Sequence, residues 1–230
     1  MFKTNYKEFK EIYTNLVKVH DGNIVFRDWL DYCIDQFLIN PDLKYFKHED
    51  YSKKEYEDFF NLFRAWVTGM DNVLESKAWY DLLGVYYEEI KSSSKSKDLG
   101  QFFTPYSVAE IMAEISKTNG ICYDPAGGSG RFCLAYHVRH PKDLCINHDV
   151  EEFSCKMAVL NFLIHGVKGS VCQMDSLTGE FYKGWKINEF PFSIMEVDTL
   201  GESLIFIGEK INLNKKDDIK KEGQLKLSDY

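Results

Sequence analysis

The residues around position 128 have the types and spacing most suited to chemistry. Residues 124–130 read Asp-Pro-Ala-Gly-Gly-Ser-Gly, after the apolar run 120–123 and before the helix-compatible run 131–138. Three glycines and a serine in four positions strip side chains from one turn, so a ligand can lie against the backbone and the start of the next helix. The pattern predicts a strand, a glycine turn and a helix around a nucleoside-type ligand.

The glycine spacing argues against a dinucleotide. A dinucleotide fingerprint needs G-x-G-x-x-G or G-x-G-x-x-A, but counted from Gly128 its last position falls on Cys133, and an Asp-Pro pair precedes the turn. NAD is therefore disfavoured. An ordinary strand-to-helix turn, with glycines serving only tight geometry, is the alternative reading.

A second segment lies upstream, where residues 99–105 read Leu-Gly-Gln-Phe-Phe-Thr-Pro. Thr104 is predicted to cap a helix running from about Tyr106 to Ile115, with Pro105 as its first residue. A helix start presents N–H groups and a positive dipole end to a carboxylate. A plain capping signal is the alternative. The helix is expected to be amphipathic, with one apolar side formed by Val108, Ile111, Met112 and Ile115.

Two acids follow at the ends of predicted strands. Asp149 closes the run 144–149, about twenty residues beyond the glycine turn, where a carboxylate can accept hydrogen bonds from both ribose hydroxyls. The helical run 151–165 is predicted to end at Gly166 as a C-cap, with His165 packing near that end rather than catalysing. Asp175 lies within the next segment, 169–177.

Residues 99 to about 177 resemble the S-adenosylmethionine-dependent DNA methyltransferases of the N6-adenine type, most closely the modification subunits of type I restriction systems. The resemblance implies a Rossmann-like fold, S-adenosylmethionine as cofactor, Asp149 as the ribose ligand and Asp175 as a contact to an adenine amino group. It implies a cofactor site made of Gln101, Phe103, Thr104, Asp124, Ala126, Gly127, Gly128, Ser129, Gly130, Asp149 and Asp175.

The chain departs from the family pattern at the fourth strand, where the family carries Asn-Pro-Pro-(Phe/Tyr). Residues 185–192 read Trp-Lys-Ile-Asn-Glu-Phe-Pro-Phe, so Asn188 stands in place while Glu189 and Phe190 replace the prolines. The resemblance implies Asn188, Asp175 and Phe192 as catalytic residues that orient and stack a flipped adenine.

Two functions stay open at this point. The chain is either an adenine-N6 DNA methyltransferase with a degenerate motif, or a catalytically inactive binding or regulatory subunit, or a decoy, that engages restriction-modification components. A substrate other than DNA is a third alternative. Expected partners are DNA and a specificity or other restriction-modification subunit.

Composition sets the broad class. The net charge is −8, from 28 basic and 36 acidic residues, which is awkward for a protein that grips DNA unaided. Six cysteines form no disulfide-like array, so reduced, buried thiols are expected. Cys133, His137 and His140 offer no fourth ligand, and no metal is predicted. With neither a signal peptide nor a membrane-length apolar run, the expected location is cytoplasmic and away from membranes.

The expected fold is α/β, with three parts. Residues 1–97 have aromatic residues at helical spacing and are predicted to form an α-helical domain. Residues 98–211 are expected to form a C-terminally truncated, Rossmann-like methyltransferase domain, with 193–197 and 202–210 as a hairpin around 198–201. Residues 212–230 are expected to be a polar tail.

Overall fold

The computed structural model describes residues 3–93, 103–117 and 120–204. Within these ranges four α-helices come first, with a short 3-10 helix (His48–Asp50) between the second and the third: α1 (Lys3–Leu16), α2 (Gly22–Asp35), α3 (Lys53–Leu74) and α4 (Leu82–Ser93). The α/β part follows, with α5 (Tyr106–Ile115), β1 (Ile121–Asp124), α6 (Arg131–Arg139), β2 (Leu144–Asp149), α7 (Glu152–His165), β3 (Gly169–Asp175), β4 (Glu180–Ile187), β5 (Ile194–Val197) and α8 (Leu200–Ser203).

The five strands form one sheet in the order β1-β2-β3-β4-β5. Strands β1, β2 and β3 are parallel, whereas β4 runs antiparallel to β3 and β5 antiparallel to β4. Asp124 is paired with Asn147, and Asp149 with Gln173, so the carboxyl ends of the three parallel strands meet at one edge of the sheet. This sheet confirms the mixed α/β class.

Helix α7 explains why the core is continuous. Its residues from Ser154 to Leu163 are all buried, because β2 and β3 cover one side and α2 and α4 the other. One apolar cluster therefore runs from Trp29 and Trp66 in the first helices to Trp185 in the sheet. A division into domains near residue 97 stays a prediction, and that boundary lies outside the described residues.

A buried ion pair also joins the first helices to helix α7 of the α/β part. Lys156 Nζ of α7 lies 2.7 Å from Asp31 Oδ1 of α2 and 2.6 Å from Glu152 Oε1. Burial raises the pKa of Asp31 to about 6, although Lys156 opposes the shift. Because a charge buried without a partner is strongly destabilising, this pair requires α2 and α7 to stay together.

Helix α5 differs from its prediction in two ways. Its N-cap is Pro105, whose carbonyl accepts from Ala109 N at 3.0 Å, so Thr104 lies outside the helix and provides no side-chain cap. Its small residues Ala109 and Ala113 are the buried ones, and the expected apolar side is largely exposed at Val108, Ile111 and Ile115. Alanines face α6 because they allow a close approach between the two helices.

The expected hairpin around 198–201 is also corrected. Thr199 Oγ1 accepts from Glu202 N at 3.2 Å and caps the short helix α8, and β5 pairs with β4 instead. The remainder of that expected strand and the expected tail, 212–230, lie outside the described residues. Among the helices of the described ranges, none combines the length and apolarity needed to cross a membrane.

Candidate functional site

The glycine turn lies at the carboxyl edge of the parallel strands. Gly127 N donates to His148 O at 2.9 Å, and Gly128 N donates to Asp149 Oδ2 at 2.9 Å. Gly130 N closes the turn onto Gly127 O at 2.9 Å. These bonds fix the loop between β1 and α6 against the end of β2.

The close approach of the turn to its neighbours requires glycine. A Cβ on Gly127 would lie 1.9 Å from Asn147 Oδ1, so either the turn or the buried Asn147 side chain would have to move. Gly128 has φ +55°, and a Cβ there would meet the Phe103 ring at 3.0 Å. Gly130 has φ +89°. Backbone at positive φ favours glycine, so this turn depends on its composition.

The turn borders a cavity of about 150 Å³. It is lined by Phe103, Thr104, Ala126, Gly127, Gly128, Ser129, Arg131, Asp149 and Ser154. Seven of these residues were predicted for the cofactor site, whereas Arg131 and Ser154 were not. Asp124, Gly130 and Asp175 lie near the same edge but do not line the cavity, and Gln101 lies outside the described residues.

Asp149 is the acid at the cavity wall. Its Oδ2 accepts from Gly128 N, and its Oδ1 accepts from Glu151 N at 2.9 Å. An ionised carboxylate has about four lone-pair sites. Each oxygen therefore keeps capacity for a further donor, and the backbone bonds hold the carboxylate in a fixed orientation.

The other two strand-end acids close their own turns. Asp124 Oδ1 accepts from Ala126 N at 3.2 Å, and burial raises the pKa of Asp124. Asp175 Oδ1 accepts from Leu177 N at 2.8 Å and Thr178 N at 3.2 Å, and these bonds lower the pKa of Asp175. Asp175 thus lies at the predicted edge with one oxygen engaged in its own turn.

Asn188 and Phe192 are not brought to this site. Asn188 Nδ2 donates to Phe162 O at 2.9 Å and Val167 O at 3.0 Å, so its amide caps the end of α7. Because β4 is antiparallel to β3, its last residue, Ile187, is paired with Gly169 at the start of β3. Asn188 therefore lies at the opposite end of β3 from Asp175, and neither Asn188 nor Phe192 lines the cavity. Their predicted catalytic role stays a prediction.

A buried carboxylate that does not line the cavity binds the glycine turn through Ser129. Asp81, just before α4, accepts from Ser129 Oγ at 2.6 Å and Arg131 Nε at 2.7 Å. It also accepts from Gly84 N at 2.7 Å and from Asn161 Nδ2 at 2.8 Å. One side chain therefore ties together α4, the glycine turn, α6 and α7.

Arg131 extends this network to the cavity wall. Besides Asp81 it pairs with Glu88 Oε2 at 3.2 Å, donates to Thr104 O at 3.2 Å and lies 5.1 Å from the centre of the Phe103 ring. Sequence reasoning missed Asp81, Glu88 and Arg131. A helix-capping signal was available at Asp81, three residues before Gly84, but nothing local connects it to a turn 48 residues away.

The sheet, the glycine turn and the cavity define an α/β protein with a cavity at the carboxyl edge of parallel strands, where ligands bind in open α/β sheets. A family model described as N-6 DNA Methylase matches residues 78–195, just over half of the chain, and the chain belongs to this family. Membership implies the fold of S-adenosylmethionine-dependent methyltransferases. The matched range includes Asp81, Arg131 and the whole glycine turn.

The chain is also similar to the type I restriction enzyme HindI methylase subunit of Haemophilus influenzae. The two are 31% identical over 98 residues, which cover 38% of this chain and 22% of that relative. The chain therefore spans about a fifth of the length of this relative. No solved structure matches the chain significantly.

Proposed function

We propose that this chain binds S-adenosylmethionine in the cavity beside the glycine turn. The observation that carries the proposal is the fixed carboxylate of Asp149 next to a turn without side chains at Gly127 and Gly128. A ribose offers two adjacent hydroxyl donors, and the two oxygens of Asp149 retain the capacity to accept them. The family to which the chain belongs supports the same ligand.

The donor set fits the rest of this ligand. The start of α6 directly follows the glycine turn, and a helix start attracts a carboxylate group through its N–H groups and dipole. Phe103 gives the cavity an apolar wall, while Thr104 and Ser154 add polar ones. The cavity of about 150 Å³ is smaller than the ~300–1,000 Å³ typical of sites that enclose a whole ligand, so it would enclose part of this one.

Calorimetric titration of the purified chain with S-adenosylmethionine tests the proposal. We expect Asp149→Asn to weaken binding at least tenfold, because one acceptor oxygen is replaced by an NH₂ group that faces Gly128 N–H or Glu151 N–H and cannot accept from the ribose. Asp198→Asn is the matched control, since Asp198 is an exposed acid after β5 and does not line the cavity. Equal affinities for wild type and Asp149→Asn, with both folded by circular dichroism, would refute the assignment.

Methyl transfer to the amino group of adenine in DNA is the activity that we infer from the family. Bound S-adenosylmethionine would supply a sulfonium methyl that is already activated. The residues of this chain would contribute positioning, because Asp149 and the glycine turn would hold the cofactor at the carboxyl edge of the sheet. DNA and a specificity subunit would then be its partners.

A second candidate is a cofactor-binding or regulatory subunit that does not itself transfer the methyl. The placement of Asn188 favours it, because the amide that should orient the adenine caps α7 instead. Labelled methyl transfer to adenine-containing DNA separates the candidates. Transfer by the wild-type chain supports the enzyme, whereas cofactor binding without transfer supports the subunit.

A further inference from the structure

Three buried thiols converge beneath the glycine turn. Cys122 in β1 and Cys145 in β2 are directly paired across the two parallel strands, so their side chains project from the same face of the sheet. Cys133, in the first turn of α6, completes the group. The Sγ atoms of Cys122 and Cys133 are 4.0 Å apart, and all three sulfurs lie within 4.8 Å of one another.

The neighbours of Cys133 in the folded chain differ from the neighbours that the local sequence indicates. Spacing along α6 groups Cys133 with His137 and His140, and this group lacks a fourth metal ligand. The strand register instead brings two further thiols to Cys133, from 11 residues before it and 12 residues after it. We propose that Cys122, Cys133 and Cys145 form a binding site for a soft, thiophilic metal ion held by three thiolates.

The sulfur positions fit such an ion without large movements. An ion at the centre of a triangle with sides of 4.0 to 4.8 Å lies about 2.3–2.8 Å from each sulfur, and a zinc–thiolate bond is ~2.3 Å. Thiolates select soft ions over hard ones such as magnesium. The three donors come from three different elements, and all are buried.

The charge balance is also acceptable for a buried site. Each thiol releases its proton to solvent as its sulfur binds, so a divalent ion with three thiolates carries a net charge of −1 and nothing is oxidised or reduced. Burying one negative charge is costly unless a partner compensates. Cys133 is the third residue of α6, where the positive end of the helix dipole stabilises thiolates.

Occupancy would tie together the elements that flank the glycine turn. Cys122 lies two residues before Asp124, and Cys133 lies three residues after Gly130. Bonds from one ion to β1, β2 and α6 would therefore hold both ends of the turn. Because an ion that binds the folded state alone stabilises that state, the site should raise the melting temperature when it is filled.

Titration of the reduced full chain with cadmium alone tests the proposal. We expect one equivalent to bind with a thiolate-to-cadmium charge-transfer absorption, and each of Cys122→Ser, Cys133→Ser and Cys145→Ser to weaken binding at least tenfold. Cys172→Ser is the matched control, since Cys172 is equally buried but belongs to β3 and lies outside the group. Absence of binding, or an equal loss in Cys172→Ser, would overturn the proposal.

A measurement on the wild-type chain covers the case in which the serine variants fail to fold. The cadmium-113 resonance reports how many sulfurs surround the ion, so three-sulfur coordination is the expected result. Coordination by oxygen and nitrogen alone would overturn the proposal. Neither experiment requires S-adenosylmethionine, so the outcome is independent of the proposed cofactor site.

Discussion

Replacing Asp81 by asparagine should destabilise the fold and loosen the glycine turn. The side chain of Asp81 is buried and accepts four hydrogen bonds, two at each oxygen. Asparagine has nearly the same shape but only one acceptor oxygen, and its NH₂ group would face two donors. Two buried donors therefore lose their acceptor, and Arg131 loses its most buried anionic partner.

The magnitude follows from these lost contacts. An unsatisfied buried donor costs about 1–3 kcal/mol, and removing one partner of a buried ion pair costs about 3–5 kcal/mol. These figures describe overlapping losses at Asp81 and are not added. We expect the free energy of unfolding to fall by about 3–5 kcal/mol, a large share of the ~5–15 kcal/mol that stabilises a typical domain.

Urea unfolding followed by tryptophan fluorescence measures this loss, since Trp29, Trp66, Trp79 and Trp185 are all buried. The midpoint should fall at an unchanged m value. Asp71→Asn is the matched control, because Asp71 is exposed on α3 and its change should stay within about 0.5 kcal/mol. A loss below about 1 kcal/mol for Asp81→Asn would refute the view that this carboxylate holds the turn.

Three further changes test other parts of the structure. Gly127→Ala should weaken S-adenosylmethionine binding at least tenfold by calorimetry, because the new Cβ displaces the turn from Asn147. Gly201→Ala is the control and should leave the affinity unchanged, since a Cβ at that position has room. Asn188→Ala should lower the free energy of unfolding by about 1–3 kcal/mol, because it removes the hydrogen bonds that cap α7, and it should leave cofactor affinity unchanged. Unchanged stability would show that these bonds do not stabilise the end of α7. Burial lowers the pKa of His148 to about 4 from 6.5. The neutral imidazole therefore stabilises the folded state fully above pH 6.5, and this contribution is lost as the pH falls towards 4. Between pH 7 and pH 4.5, the free energy of unfolding measured with urea should fall by roughly 2–3 kcal/mol more in wild type than in His148→Gln.

The elements around the site were predictable because local signals define them. Strand β2 was expected at residues 144–149 and has those bounds. Helix α7 ends before Gly166, which has φ +69°, as the C-cap pattern indicated. His165 packs as expected, with its Nδ1 2.7 Å from Asn161 O and its Nε2 accepting from Tyr80 N. For β2, for the end of α7 and for the bond from His165 to Asn161, the residues that decide the structure lie within a few positions of one another.

Burial against distant parts of the chain was not predictable in the same way. The apolar residues of α5 have helical spacing, but which side is covered depends on how closely α6 approaches, and two alanines permit the closest contact. The role of Asp81 likewise depends on a fold that brings residues 81, 129, 131 and 161 together. Such contacts follow from the topology and not from any local pattern.

The direction of β4 decides where Asn188 lies, and the sequence contained a signal for that direction. Only residues 176–179 join β3 to β4, whereas a parallel crossover needs at least ~10–12 residues. The connection therefore has to be a hairpin, and Gly179, with φ +78°, donates to Asp175 O at 2.7 Å in that turn.

The reversal places the end of β4 beside the start of β3. Asn188 therefore lies the whole length of β3 away from Asp175, about 20 Å at ~3.3 Å per residue. An adenine amino group at the carboxyl edge of the parallel strands would be beyond the reach of that amide. Under the proposed function, cofactor binding at the glycine turn and base positioning are therefore separate, and positioning an adenine would require groups other than Asn188.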